Sequence, residues 1–133
     1  MRPRYIDLFQ RMRDPDPDER DSAFDAVLFD RHEALPDLME CYVMAGLEPG
    51  LRFLIVQLMG FSGATEAIDP VRGALEDPDP QIRAEACRSL EDLRAHSARD
   101  CLEQRLSDVS PIVRQAAAEA LTGLRANQQQ TAF

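Results

Sequence analysis

The sequence predicts an all-α fold, a superhelical α/α solenoid of about four helix pairs within 133 residues. Three observations carry that prediction. Arg20, Arg52, Arg83 and Arg114 recur at intervals of 32, 31 and 31 residues. A proline stands three places before each of them: Pro17, Pro49, Pro80 and Pro111. Apolar residues then follow each arginine at helical spacing. A fixed period of this length marks one supersecondary unit stacked along an axis.

Each unit reads as helix, short turn, helix. First helices are expected over residues 5–12, 34–42, 67–75 and 98–106, and second helices near 17–29, 49–60, 80–94 and 111–125. The second helices have written starts. Asp16, Asp79 and Ser110 precede their prolines, and such side chains accept hydrogen bonds from the free N–H groups of a first turn. Glu48 is a poorer cap and makes the second unit irregular. The buried face follows at i, i+3, i+4 and i+7. Ala23, Ile55, Ala86 and Ala117 fill one slot, Phe24, Val56, Cys87 and Ala118 the next. Val27, Met59, Leu90 and Leu121 lie one turn on. Residues 1–125 read as one repeat domain stacked with a right-handed sense, and residues 126–133, which lack an apolar face, as a disordered tail.

The arginines are locally misplaced. Each falls in a first turn, where the helix dipole disfavours positive charge. Asp14, Asp77 and Asp108 lie six residues before Arg20, Arg83 and Arg114. An Asp and an Arg flanking a tight turn can pair within a unit and with the next, which predicts a structural polar ladder of Arg20, Arg52, Arg83, Arg114, Asp14, Asp77 and Asp108. Gly46 holds the aspartate position in the second unit, whose rung is expected to be missing.

The pattern resembles the HEAT repeat, in the short bacterial form called PBS-lyase HEAT-like. The residues that carry the resemblance are Met59-Gly60-Phe61-Ser62-Gly63-Ala64-Thr65-Glu66-Ala67-Ile68, then Leu75-Glu76-Asp77-Pro78-Asp79-Pro80-Gln81-Ile82-Arg83. The run from Leu106 through Asp108, Pro111 and Arg114 to Leu121 matches nearly as well. The resemblance is clear over the last two units and degenerate over the first two. It implies a solenoid whose second helices line the concave surface. It implies no single task, since one fold hosts many functions.

Composition narrows the partners. The net charge is −9, and lysine is absent, so every basic side chain but the two histidines is arginine. Phosphate backbones and anionic membranes need basic patches, so neither is an expected partner. A basic protein partner is permitted. Asp14, Asp16, Asp18, Glu19, Asp21 and Asp25 crowd the first unit, which fits a solvated helix start or a site for a basic partner. No apolar run approaches the ~18 residues of a membrane span, and the N-terminus lacks the apolar core of a signal peptide. Three cysteines without paired spacing, Cys41, Cys87 and Cys101, fit a reducing cytoplasm and burial rather than disulfides.

Catalysis is not expected. The two histidines, His32 and His96, occupy equivalent places two units apart, on the order of 20 Å with helices packed ~8–10 Å apart. One metal ion could not join them. His32-Glu33 resembles the iron-binding His-Glu pairs of deoxyhypusine hydroxylase, a HEAT-like enzyme, but His96 is followed by Ser97. The lyases that give the repeat type its name attach bilins, and no bilin-specific residue is recognisable. A HEAT-like alkylpurine DNA glycosylase would need a basic aromatic groove, and this chain is acidic without tryptophan. No cofactor or metal is expected. A bilin lyase-type or metal-dependent enzyme subunit stands as a distant alternative.

A non-enzymatic protein-binding scaffold or adaptor remains, with a self-associating module, a homodimer for instance, as the alternative. The outward positions of the second helices follow once the buried slots are assigned. Three units place polar or small residues there, and the second places Phe53 and Leu54. Partner binding is expected around that pair, with Asp21, Asp25, Gln57, Glu85 and Arg88 around it. The competing reading makes Phe53 and Leu54 part of the core.

Overall fold

The computed structural model describes residues 1–44, 46 and 48–131. Among these there is no strand. Eight α-helices follow in order: α1 (Pro3–Arg11), α2 (Pro17–Phe29), α3 (Leu35–Met44), α4 (Pro49–Phe61), α5 (Ile68–Ala74), α6 (Pro80–Asp92), α7 (Arg99–Arg105) and α8 (Pro111–Thr131). Short 3-10 turns, Thr65–Ala67 and His96–Ala98, lead into α5 and α7. The chain is an all-α solenoid of four helix pairs.

Local chemistry explains the starts. Asp16 accepts the Asp18 N–H and Asp79 the Gln81 N–H, each capping a helix whose first residue is proline. Glu48 makes no such bond, so α4 begins uncapped. One departure lies at the far end. α8 runs on through Thr131 instead of ending near residue 125, well into the stretch expected to be a disordered tail. Asn-Gln-Gln-Gln lacks an apolar face, yet these residues only have to prolong a helix already nucleated over four turns, which is far easier than starting one. Ala132 and Phe133 lie outside the described residues.

Packing sets the curvature. α4 lies broadly against α6, and α6 against α8. Successive first helices barely approach one another. Helices closely stacked on one side and fanned on the other bend the array, which puts the second helices on the inner face. The close approach is written in small residues. A Cβ built on Gly60 would lie 2.6 Å from the Ser89 hydroxyl and 3.0 Å from its Cα, so α4 and α6 meet nearly backbone to backbone. Ser89 donates across this contact to the Val56 carbonyl at 3.2 Å. α2 meets α4 less extensively, which leaves a cleft between the first two pairs lined by Met12, Arg20, Pro49 and Leu54.

The buried slots run through the whole stack. Ala23, Val27, Ile55, Val56, Met59, Ala86, Cys87, Leu90 and Ala117 are all closed to solvent. Phe24 and Leu121 are half-buried. Ala118 is exposed, on the side of α8 away from α6 and α7, the helices that pack on it. Ala84 and Ala116, outward by sequence geometry, are buried between successive second helices.

The arginines form rungs between pairs. Arg83 Nε and Nη2 donate to both Asp108 oxygens at 3.0 and 3.1 Å, and its Nη1 donates to the Asp77 carbonyl at 2.8 Å. Arg52 repeats this with Asp77, at 3.0 and 3.2 Å, and with the Gly46 carbonyl. Each arginine thus closes its own turn through a backbone carbonyl and grips the next turn through a carboxylate. The missing aspartate at Gly46 does not remove the rung of Arg52, contrary to the sequence expectation, because the carboxylate it needs belongs to the following pair. The empty rung is that of Arg20, which would reach position 46. Asp14 does not pair with Arg20; its carboxylate caps the Asp16 N–H.

Both buried carboxylates are held below the ordinary range. At Asp108 the Arg83 hydrogen bonds lead, with burial opposing them and the Ser110 N–H and Arg105 assisting. At Asp77 burial opposes the charge most strongly, but Arg52, the Asp79 N–H and the Tyr42 hydroxyl together outweigh it. A depressed folded pKa stabilises the fold fully above the unfolded value of about 3.9, and that contribution is lost as pH falls through the folded value.

Two outcomes are expected. Arg83→Ala should lower stability by about 1–3 kcal/mol at pH 7, since it strands a buried carboxylate. In chemical denaturation that difference should shrink once the pH is taken below about 4; an unchanged midpoint at pH 7 would contradict a structural role. Gly60→Ala should cost a similar ~1–3 kcal/mol, because the new methyl can be accommodated only by separating two helices.

Candidate functional site

The inner face is built from corresponding residues of the four second helices. Counted from each arginine, the first and fifth positions are Asp21 and Asp25 on α2, Phe53 and Gln57 on α4, Ala84 and Arg88 on α6, and Gln115 and Glu119 on α8. The fifth position faces solvent on three helices, and Gln57 is half-buried.

Phe53 and Leu54 resolve into different roles. Both are half-buried and packed on the core, so neither the fully exposed nor the fully buried expectation describes them. Leu54 lines the cleft between the first two pairs, beside Arg20 and Met12. Phe53 stays in register with the inner-face row. Asp21 and Asp25 are exposed. Glu85 corrects the sequence expectation of an outward rim residue. It is buried, because the second position after the arginine turns towards the preceding second helix, as with Ala116. Burial raises its carboxyl, and Arg88, bonded to it at 3.1 Å, pulls back against that rise. Arg88 itself is exposed.

Sequence reasoning missed Phe61. It occupies the ninth position after Arg52, one turn beyond Gln57, and is 42% exposed at the end of α4. The first helix pair has Phe29 in the same register, whereas the third and fourth have Asp92 and Gly123. That contrast was visible in the sequence had the register been followed one turn further.

The electrostatics of this face are acidic. Asp21, Asp25, Glu91, Asp92 and Glu119 form no ion pair among the described residues. Burial raises the Glu91 carboxyl, and Asp92 and Glu119 raise it further by repulsion. Desolvation raises Asp92 as well. These groups carry charge that nothing within the described chain compensates.

The remaining chemistry-bearing side chains stay apart. His32 and His96 are both exposed, on different helix pairs. Burial pushes the Cys41 thiol up to about 11 and the Cys87 thiol up to about 12, which makes both poor nucleophiles at neutral pH. Cys101 is half-buried rather than enclosed. Among the described residues no three His, Cys, Asp or Glu side chains are grouped to hold a metal ion, and no helix is long and apolar enough to cross a membrane.

A carboxyl raised in the folded state costs stability when charged, and the cost fades as pH falls through its folded pKa. Glu91→Gln should therefore raise the melting temperature at pH 7, by a free energy of about 0.5 kcal/mol. The gain should vanish at about pH 4, where the wild-type carboxyl is itself largely neutral. A variant less stable than wild type at pH 7 would show that Glu91 has a cationic partner in solution.

Comparison with known proteins places the architecture. A family profile of HEAT repeats matches residues 43–122, more than half of the chain, from the end of α3 into α8. No curated protein matches the sequence.

Proposed function

Since the chain belongs to the HEAT repeat family, we propose that it is a non-enzymatic scaffold that holds a basic protein segment against its inner face. The observation that carries this reading is the set of carboxylates without an ion pair among the described residues: Asp21 and Asp25 on α2 and Glu91 and Asp92 on α6, the helices that flank the α4 of Phe53 and Phe61, with Glu119 continuing the row on α8. Aromatic side chains at the centre of a charged rim resemble an interface anchor, and it is such anchors that supply most of the binding energy. Arginine or lysine on the partner would meet charges that the fold leaves unpaired, which speeds association and selects against acidic competitors. Arg88, with Glu85 behind it, interrupts the acidic row and would set the register of the bound segment. Gln57, between the two aromatics, offers an amide to its backbone. Leu54 supports Phe53 from the side of the cleft.

The probe for this reading is a fluorescently labelled peptide of alternating arginine and leucine, with a glutamate and leucine peptide as control. Anisotropy should report binding of the basic peptide alone, weakening as salt rises. The Phe53→Ser, Phe61→Ser double variant should bind at least about tenfold less tightly, a loss of one anchor's worth of free energy, with its helical circular dichroism intact. Equal binding by the double variant, or by both peptides, would sink the reading.

A further inference from the structure

The second helices α2, α4 and α6 each have a further pair stacked beyond them, and two of their three arginines complete a rung. Arg52 takes both Asp77 oxygens and Arg83 both Asp108 oxygens. Each also closes its own turn, through the carbonyl of Gly46 or of Asp77. Arg20 stands at the same place on α2 and, among the described residues, makes neither bond. The acids around it are engaged elsewhere. Asp14 accepts the Asp16 N–H and Asp16 the Asp18 N–H, while Arg11 lies against Glu19 and Arg13 holds Glu48. A half-buried guanidinium is thus left without the counter-charge that its two counterparts have.

The place of the missing acid is open. Position 46 would supply it, and a Cβ built on Gly46 would meet only the Met44 carbonyl, at 3.7 Å. Beside Arg20 the joint widens into a cleft of about 620 Å³ walled by Met12, Pro49, Leu51 and Leu54, with the Arg13–Glu48 pair also in its wall. That is room enough for a small group. One cation among apolar walls favours a carboxylate carried on an apolar group, since a guanidinium takes a carboxylate through two parallel hydrogen bonds. A phosphate, with up to twice the charge, would meet a single free arginine among Asp14, Asp16 and Glu48. An acidic side chain would bring the charge without the apolar part. The last residue of a peptide brings both at once.

Arg20 and Leu54 line the cleft, and their chain neighbours Asp21 and Phe53 belong to the inner face, so the two regions adjoin. We propose that the segment held on the inner face ends in this cleft, its apolar C-terminal residue lying on Met12, Leu51 and Leu54 and its terminal carboxylate taking the Nε and Nη2 of Arg20. This rests on the inner face being a peptide site, and it adds a requirement to that site: the partner presents a free chain end with an apolar last residue. The bound carboxylate does for Arg20 what Asp77 does for Arg52 and Asp108 for Arg83. The partner thereby completes the rung between the first two pairs.

Two versions of one peptide test this: alternating arginine and leucine, ending in leucine, labelled at the N-terminus, with the C-terminus either a free acid or an amide. Anisotropy should show the free acid bound to the full wild-type chain about tenfold more tightly than the amide, the scale of one bidentate charge-assisted pair. Against a chain of net charge −9 the extra negative charge by itself favours the amide, so general electrostatics works against the expected result. Arg20→Gln should bind both versions equally, at the affinity of the amide. Its circular dichroism should be unchanged, because Arg20 holds no other residue in place among those described. Equal binding of the two versions by the wild type, or a preference that survives Arg20→Gln, would overturn the carboxylate site and leave the inner-face reading standing. Binding of neither version would overturn both.

Discussion

The buried arginine–aspartate rung is the constraint on which the rest of this structure depends. A helix start is an unfavourable place for a cation, and each unit of the chain puts one there. The rung makes sense of it. The guanidinium has donors enough to close its own turn through a carbonyl and still take both oxygens of a carboxylate in the next pair, and its planar fork fits that geometry better than an ammonium would. The carboxylate in turn holds the N–H at the start of its own second helix. One side chain therefore sets the turn, the helix start and the spacing to the neighbour. Those three quantities are what a solenoid must repeat.

Where the rung fails, the stack loosens. Arg20 would need an acid at position 46, finds glycine, and the helix pairs on either side of it meet less fully than those further along. The cleft lined by Leu54, Met12 and Arg20 opens at this joint. The inner face beside it carries Phe53 and Phe61 in place of the small or polar residues found in later pairs. A weak joint and an apolar anchor in the same place fit a binding surface that adjusts its curvature to what it holds, since the contacts given up at that joint are the ones a partner can replace.

Charge acts in the same direction. The rungs neutralise the buried carboxylates Asp77 and Asp108, and other arginines pair with acids such as Asp30, Asp37, Glu48 and Glu85, whereas Asp21, Asp25, Glu91, Asp92 and Glu119 have no ion pair among the described residues. A surplus of this kind works against the compact state slightly through self-repulsion. It also gives an incoming basic group something to gain. The depressed carboxyls of Asp77 and Asp108 and the raised carboxyls of Glu91 and Asp92 thus follow from one distribution: an arginine stands beside each of the first two and beside neither of the others.

The sequence by itself determined the repeat, the helix pairs, the capped starts and the identity of the arginines and aspartates, because these depend on spacing and on interactions within a few residues. It also determined that the buried slots Ala23, Ile55, Ala86 and Ala117 share one face. The tertiary structure decided everything that depends on which neighbour a residue meets. Asp77 belongs to Arg52 and Asp108 to Arg83, pairings across helix pairs that a sequence register alone leaves open. Glu85 and Ala84 turned inward because α6 is packed on both flanks, by α4 and by α8, so its buried arc is wider than a lone amphipathic helix predicts. Ala118 turned outward because α8 has only one such neighbour. Helical periodicity states which residues share a face, but burial is set by how many faces are covered, and that number comes only from the stack.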